Sequence, residues 1–399
     1  MAVYQLKKLN ETLAIAQNGS YYRRTLPPHI DCLSQIASLP TIDANTLTQN
    51  GTELVCVSQD EISRIVTLTT SGSTGAAKRV YFTQEDQELT IDYFAHGLTT
   101  VVPPGAAMAI LLPCERPGGV GDLIARSLGR IPVTPVRHGL VSDLASCAGM
   151  LRDSKADAIV GIPVQVLALA RYCEAMDIKT NMRGILLSTD SIPGIIANEL
   201  RRIWKCEVHE HYGMTEMGLG GAIDCDAHDG YHVRENDLLF EILDENGKQL
   251  PDGVCGEIVF TTLTRRGMPF VRYRTGDISR VVPGRCACES ELRRVSPIAG
   301  RIGNDVLMAC GARIKMPDFD EVMFSMQGVS DYWLMASPRD DLLKIGVDTQ
   351  MSFARLSVDE IERLLRDSGL TDGLTTEISV ALHADTLTQR TGKRTIGTI

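Results

Sequence analysis

Long hydrophobic runs are missing from this chain of 399 residues, and so is any excess of positive charge. No apolar stretch approaches the roughly 18 residues of a membrane-spanning helix, and Met1 to Asn10 lack the apolar core of about 7 to 15 residues that marks a secretory leader. A cytoplasmic protein with no membrane partner is expected. The formal net charge of -10 argues against a nucleic-acid partner, whose phosphates favour a basic surface. Internal repeats and low-complexity tracts are absent. With no leader sequence, the 11 cysteines read as buried thiols or metal ligands rather than as a disulfide framework.

What is present is ordinary globular composition, 44% hydrophobic and 23% charged, in a chain longer than one hydrophobic core usually supports. Two domains are expected. From residue 64 a strand pattern is followed by a helix start at Thr83-Gln84-Glu85-Asp86, with a hydroxyl cap and an acidic first turn. Strands are then expected at 107–112, 158–161 and 184–188, and helices at 120–128, 141–151, 164–176 and from Pro193 to Trp204. Such alternation builds a largely parallel sheet covered by helices. Between Tyr231 and Ile278 the segments become short and strand-like, with turns at Asn246-Gly247 and Pro251-Asp252-Gly253. Beyond residue 303 the pattern is that of a small α+β domain, with a strand pair around Gly311, helices at 316–326 and 358–367, and strands at 332–337, 343–348 and 376–383.

The chemistry concentrates in Thr70-Ser71-Gly72-Ser73-Thr74-Gly75-Ala76-Ala77-Lys78. Glycines allow backbone N–H groups to approach an anion, hydroxyls donate to phosphate oxygens, and the lysine adds a point charge. The spacing is neither GxxxxGK[ST] nor GxGxxG, which disfavours P-loop and Rossmann folds, and alone it also fits a plain surface loop. Two further segments change that reading: His211-Tyr212-Gly213-Met214-Thr215-Glu216 and Tyr273-Arg274-Thr275-Gly276-Asp277.

In this order the three segments resemble those of the adenylate-forming superfamily, which includes acyl-CoA synthetases, peptide-synthetase adenylation domains and luciferases. The run from Glu210 to Arg280 resembles the phenylacetate-CoA ligase-like branch more closely. The resemblance implies an α/β fold: a large AMP-binding catalytic domain, residues 1–303, with mostly parallel sheets, helices and a β-subdomain, and a small mobile α+β domain, residues 304–399. Gly300-Arg301-Ile302-Gly303-Asn304-Asp305 is similar to the hinge between them, with one residue inserted and Asn304 in place of an acid. The implied reaction is ATP-dependent activation of a carboxylic acid as acyl-AMP, with loss of pyrophosphate, then transfer to an acceptor. Residues Thr70 to Gly75 and Lys78 would hold the β and γ phosphates. Glu216 would bind Mg²⁺ and Thr215 the α-phosphate, Tyr212, beside Gly213, would stack on adenine, and Asp277 would accept the ribose hydroxyls with Arg301 as its charged companion. Thr189 and Asp190 fall where the family lines the adenine pocket, and Lys393 matches the family's closing lysine at the α-phosphate and substrate carboxylate.

Cys225, His232, Cys286 and Cys288 form a Cys3His set suited to a closed structural Zn²⁺ site, with His228 or Cys206 as substitutes. The branch takes aryl or arylacetic acids, and Gly218, Gly220 and Gly221 leave room for a ring beside Tyr212. The acceptor stays open between CoA, a carrier-protein arm and an amine. A non-catalytic nucleotide-binding relative is the competing class, but it has no need of Lys78, Thr215, Glu216, Asp277 and Lys393 together.

Overall fold

Thr83 and Asp86 show how the first long helix is started. The Thr83 N–H donates to Asp86 Oδ2 at 3.0 Å and the Asp86 N–H to Thr83 Oγ1 at 3.2 Å, a reciprocal cap on the helix Gln84–Val101. The structure is a computed structural model that describes residues 1–68, 77–388 and 393–399. Its chain forms two compact units, one of Met1–His96 with His211–Ala299 and one of Gly97–Glu210 with Gly300–Ile399.

The first unit opens with helices Ala2–Ala16, Ser20–Thr25 and Ala44–Asn50, which sequence reading left unassigned. Strands Ile62–Leu68 and Lys78–Thr83 then pair antiparallel, with Leu68 opposite Lys78. An antiparallel sheet follows in the order Leu238–Leu243, Gly256–Thr262, Tyr273–Ser279. The expected turns are there, with Gly247 and Gly253 at φ of 80° and 88°, where a side chain would be strained. Leu9, Leu13 and Tyr22 of the N-terminal helices share an apolar cluster with Phe260 and Tyr273 of the sheet and with Phe270 in the connection between their strands. The Tyr22 hydroxyl is satisfied at Pro269 O, 2.9 Å away. Shorter strands Ala222–Ile223, Tyr231–Val233, Arg294–Val295 and Val281–Val282 pair in that order, all antiparallel.

In the second unit, parallel strands run in the order Thr134–Arg137, Ala107–Leu111, Ala158–Gly161, Gly184–Leu187 and the start of Glu207–Tyr212. Helices Val120–Leu128, Leu144–Ser154, Pro163–Ala175 and Gly194–Trp204 connect them. The second of these begins three residues later than its apolar pattern suggests, because Asp143 caps it by accepting from the Ser146 N–H at 2.6 Å. Residues beyond 303 supply the hairpin Val306–Leu307 with Arg313–Ile314, helices Met316–Met323 and Val358–Asp367, and a sheet ordered Thr375–His383, Leu342–Gln350, Asp331–Ser337, Gly397–Thr398.

These later residues share one apolar cluster with the parallel layer, including Phe319, Phe324 and Tyr332 with Leu169 and Ile196. Polar ties reinforce it. Buried Arg171 donates to Phe324 O at 2.7 Å, Val329 O at 2.8 Å and Met326 O at 2.9 Å. Glu321 accepts from the N–H groups of Gly194 and Ile195 at 2.6 and 3.0 Å, which caps the helix Gly194–Trp204. No helix among the described residues is long and apolar enough to cross a membrane.

Candidate active site

Glu216 lies in the short 3-10 turn Thr215–Met217, closed by Gly218 at φ 72°. Its side chain is 2% exposed, so the carboxylate is shielded from bulk water. The carboxylate Oε1 is 2.7 Å from Lys78 Nζ and accepts from the Tyr273 hydroxyl at 3.2 Å. Arg265 fixes the backbone behind it, donating to Glu216 O at 2.8 Å and to Tyr81 O at 3.0 Å. Its guanidinium lies 4.2 Å from the centre of the Phe82 ring and 5.2 Å from that of Phe270. Burial pulls the Arg265 pKa down to about 10, against the attraction of Asp86 and Glu216, and the group remains a cation at neutral pH.

The strand end just before this turn is built as tightly. A Cβ on Gly213 would stand 1.9 Å from Leu219 O, so only glycine lets the chain double back there. The Tyr212 hydroxyl donates to Asp277 Oδ2 at 3.0 Å, and the Tyr212 ring meets Phe240 edge-on at 6.4 Å. Asp277 is buried and follows Gly276, whose φ is 77°. Two of the three sequence segments are thus joined side chain to side chain, at Tyr212–Asp277 and at Glu216–Tyr273.

Gly220 and Gly221 do admit rings and bulk, but from this chain. A Cβ at Gly220 would fall 2.2 Å from the Tyr93 ring, and one at Gly221 would fall 2.7 Å from Met217 Sδ. Tyr93, Phe94 and His211 make an aromatic group with ring centres 5.2 to 5.9 Å apart. Burial drives the His211 pKa down to about 4, so the imidazole is neutral in this wall.

Residues Thr70, Ser71, Gly72, Ser73, Thr74 and Gly75 lie outside the described residues. In the second unit, Thr189 has φ 79° after the strand Gly184–Leu187, and Asp190 is paired with Arg394 at 3.2 Å. Arg301 is half-buried in the short strand Gly300–Arg301, and Lys393 is exposed. Sequence reasoning missed Tyr273 and Arg265. The first was available as the opening residue of Tyr-Arg-Thr-Gly-Asp, whereas nothing in Thr264-Arg265-Arg266-Gly267 sets that arginine apart.

The cysteine set is drawn together by strand pairing. His232 lies in Tyr231–Val233 opposite Arg294, Cys225 follows Ala222–Ile223, and Cys286 and Cys288 lie between the paired strands Val281–Val282 and Arg294–Val295. All four ligating atoms fall within 4.8 Å of one another. Cys225 Sγ is 3.6 Å from Cys286 Sγ, and Cys288 Sγ is 3.3 Å from His232 Nε2. A tetrahedral ion with bonds of about 2.3 Å to sulfur holds its sulfur ligands about 3.8 Å apart, so the set fits zinc. Burial lowers the His232 pKa, which keeps the imidazole in its neutral, ligating form. His228, the proposed substitute, has its Nδ1 on Asp224 Oδ2 at 2.5 Å.

Residues 23–263 match the family described as AMP-binding enzyme, more than half of the chain, and the protein belongs to that family. Within it, the chain is 26% identical over 418 aligned positions to the phenylacetate-coenzyme A ligase of Pseudomonas putida, covering 99% of this chain and 92% of that protein. It is also 26% identical over 377 positions to the phenylacetate-coenzyme A ligase of Escherichia coli (strain K12), covering 90% of this chain and 84% of that one. Among solved structures, a 2-hydroxyisobutyryl-CoA ligase in the postadenylation state, complexed with R3-HIB-AMP, has the same fold. The TM-score is 0.83 at 16% identity, with 99% of this chain and 88% of that chain covered.

Proposed function

We propose that this protein activates a carboxylic acid with ATP as acyl-AMP and passes the acyl group to the thiol of CoA. The observation that carries the reading is the buried Glu216 carboxylate, held between Lys78 and Tyr273 beside the Tyr212–Asp277 pair. A substrate carboxylate oxygen attacks the α-phosphorus, and the bond to the pyrophosphate oxygen breaks. A thiolate then attacks the acyl carbon, and the carbon–oxygen bond to AMP breaks.

Such a transfer gains most from alignment and charge neutralisation. Lys78, with the phosphate segment Thr70 to Gly75, is assigned to the β and γ phosphates, Thr215 to the α-phosphate, Asp277 to the ribose, and Lys393 to the developing charge. Glu216 is the carboxylate for Mg²⁺, an ion that neutralises phosphate charge when bound. In this role the Lys78 ammonium is the ground-state counter-ion of Glu216, exchanged when nucleotide arrives. The acid is of the aryl or arylacetic class, in keeping with the phenylacetate-coenzyme A ligases that the chain is similar to. Cys225, His232, Cys286 and Cys288 hold a structural Zn²⁺ that clips the short strands together and takes no part in the chemistry. A reducing cytoplasm suits a chain whose cysteines are unpaired thiols.

We also infer that residues 304–399 move as the small domain of 1–303 between half-reactions. Gly303, at φ 81°, is the natural pivot. Gly303→Pro forbids that angle and is expected to slow overall thioester turnover more than pyrophosphate exchange.

The decisive test is ATP–pyrophosphate exchange over a panel of aryl, arylacetic and aliphatic acids, then CoA addition with the best acid. Mg²⁺-dependent exchange with an arylacetic or aryl acid is expected. Exchange no faster than that of Glu216→Gln across the whole panel would sink the proposal.

A further inference from the structure

Arg394 directly follows Lys393, and the chemistry just described does not use it. Its side chain is nonetheless only 7% exposed. The Nε donates to Asp190 Oδ2 at 3.2 Å, the backbone N–H points to Asp190 Oδ1 at 3.4 Å, and Nη1 lies 2.8 Å from Asp320 Oδ1. The guanidinium sits 5.0 Å from the centre of the Phe324 ring and 5.5 Å from that of Tyr332. The Tyr332 hydroxyl donates to the same Asp320 oxygen at 2.5 Å. A guanidinium taken out of water is costly unless several groups compensate, and here two carboxylates and two ring faces do so.

The partners come from separate segments of the second unit. Asp190 follows the strand Gly184–Leu187, at the carboxyl ends of the parallel strands, where open α/β sheets bind their ligands. Its Oδ1 also accepts from the Ser191 N–H at 2.8 Å, so both oxygens are engaged within the protein. Asp320 belongs to the helix Met316–Met323, and Tyr332 to the strand Asp331–Ser337. The chain is fixed again just beyond, where Gly397–Thr398 pairs in parallel with Met335 and Ala336. Consecutive Cα atoms are about 3.8 Å apart, so pinning Arg394 leaves the Lys393 ammonium little beyond its own side-chain rotations.

We propose that Arg394 is a positioning residue that, held by Asp190 and Asp320, sets the station from which Lys393 reaches the reacting groups, and that Asp190 serves the tail rather than the nucleotide. The proposal rests on the assignment of Lys393 above. Arginine is required because its planar fork meets carboxylates while its faces stack on rings, which a lysine cannot do.

The test measures exchange kinetics and thioester formation from supplied acyl-AMP in the full-length protein, for Lys393→Ala, Arg394→Ala, Arg394→Lys, Asp190→Asn and the double variant Lys393→Ala with Arg394→Ala. Arg394→Ala should lower kcat for exchange at least about tenfold while the KM for ATP stays within about twofold, and Asp190→Asn should follow it. Arg394→Lys should recover only part of the loss. The double variant should be no slower than Lys393→Ala alone, because the latch acts only through that lysine. Thioester formation from acyl-AMP should stay within about twofold throughout.

The proposal is overturned by wild-type exchange in Arg394→Ala, by additive losses in the double variant, or by an Asp190→Asn protein whose KM for ATP rises with kcat unchanged. Thermal unfolding identifies a variant that fails to fold. In that event Arg394→Lys, which keeps the charge, carries the same comparison. Wild-type exchange in Lys393→Ala would remove the assignment of that lysine, and this proposal with it, whereas a crippled Lys393→Ala beside an unaffected Arg394→Ala would remove the latch alone.

Discussion

The first unit contains two polar clusters of opposite design. Around Glu216 the negative charge is met within the chain by Lys78 and by the Tyr273 hydroxyl, so the carboxylate is balanced at rest. Cys225, Cys286, Cys288 and His232 instead bring three thiols and an imidazole together. A carboxylate with its own counter-ion can surrender one cation for another, as a site that loads and discharges nucleotide in each cycle must. A closed set of four ligands has no position to offer a substrate and gains stability from an ion that stays. On the proposed assignments the first cluster serves exchange and the second permanence.

Glu216→Gln should break the first cluster with the largest effect. Pyrophosphate exchange is expected to fall about 100-fold or more, on the order of 3 kcal/mol, while thermal stability changes little because glutamine still accepts from Tyr273. Cys286→Ser should give the reverse pattern. Elemental analysis is expected to fall from about one equivalent of zinc toward none, and urea unfolding to show a loss on the order of 3 kcal/mol, with exchange by the folded protein within about twofold of wild type. Zinc absent from wild-type protein purified without chelator, or activity lost with stability kept, would erase the contrast. The smallest effect is expected for Tyr273→Phe, which removes one hydrogen bond from Glu216. About 1 kcal/mol, a few-fold in exchange rate with a raised Mg²⁺ requirement, is the expected outcome, and an unchanged Mg²⁺ titration would show that this hydroxyl does not tune the carboxylate.

Much of the architecture could be read from the chain because local signals agree with it. Ala158–Gly161 and Val358–Asp367 have the bounds their patterns suggest, the second with Ser357 and Glu360 as a capping box. Other elements sent no signal. The helix Ala2–Ala16 has no side-chain cap at Met1 and no acid in its first turn, so it is held by what Leu9 and Leu13 bury. The strand Thr134–Arg137 contains Pro135, which ordinarily argues against a strand; it is tolerated because, among the described residues, this strand is the edge of its sheet and pairs with Ala107–Leu111. At the site, motif residues were legible by type, but their partners were not. That Asp190 should face Arg394, 204 positions away in sequence, follows from chain topology and from no local pattern.

The three carbonyls gathered by Arg171 bear on how often the proposed small domain is displaced from the layer it rests on. To leave, residues 304–399 must give up those hydrogen bonds, release Glu321 from the helix end at Gly194 and Ile195, and expose an apolar cluster that now includes Phe319 and Phe324. Each loss weights the resting ensemble toward the docked form. A ligand that is to turn a 1:99 population into 99:1 must bind the minor form about 10⁴-fold more tightly than the major one. On that proposal the thiol acceptor serves the second half-reaction by discriminating between two arrangements of the same chain, and its apparent affinity should be weaker than its true affinity by the fraction of molecules already undocked.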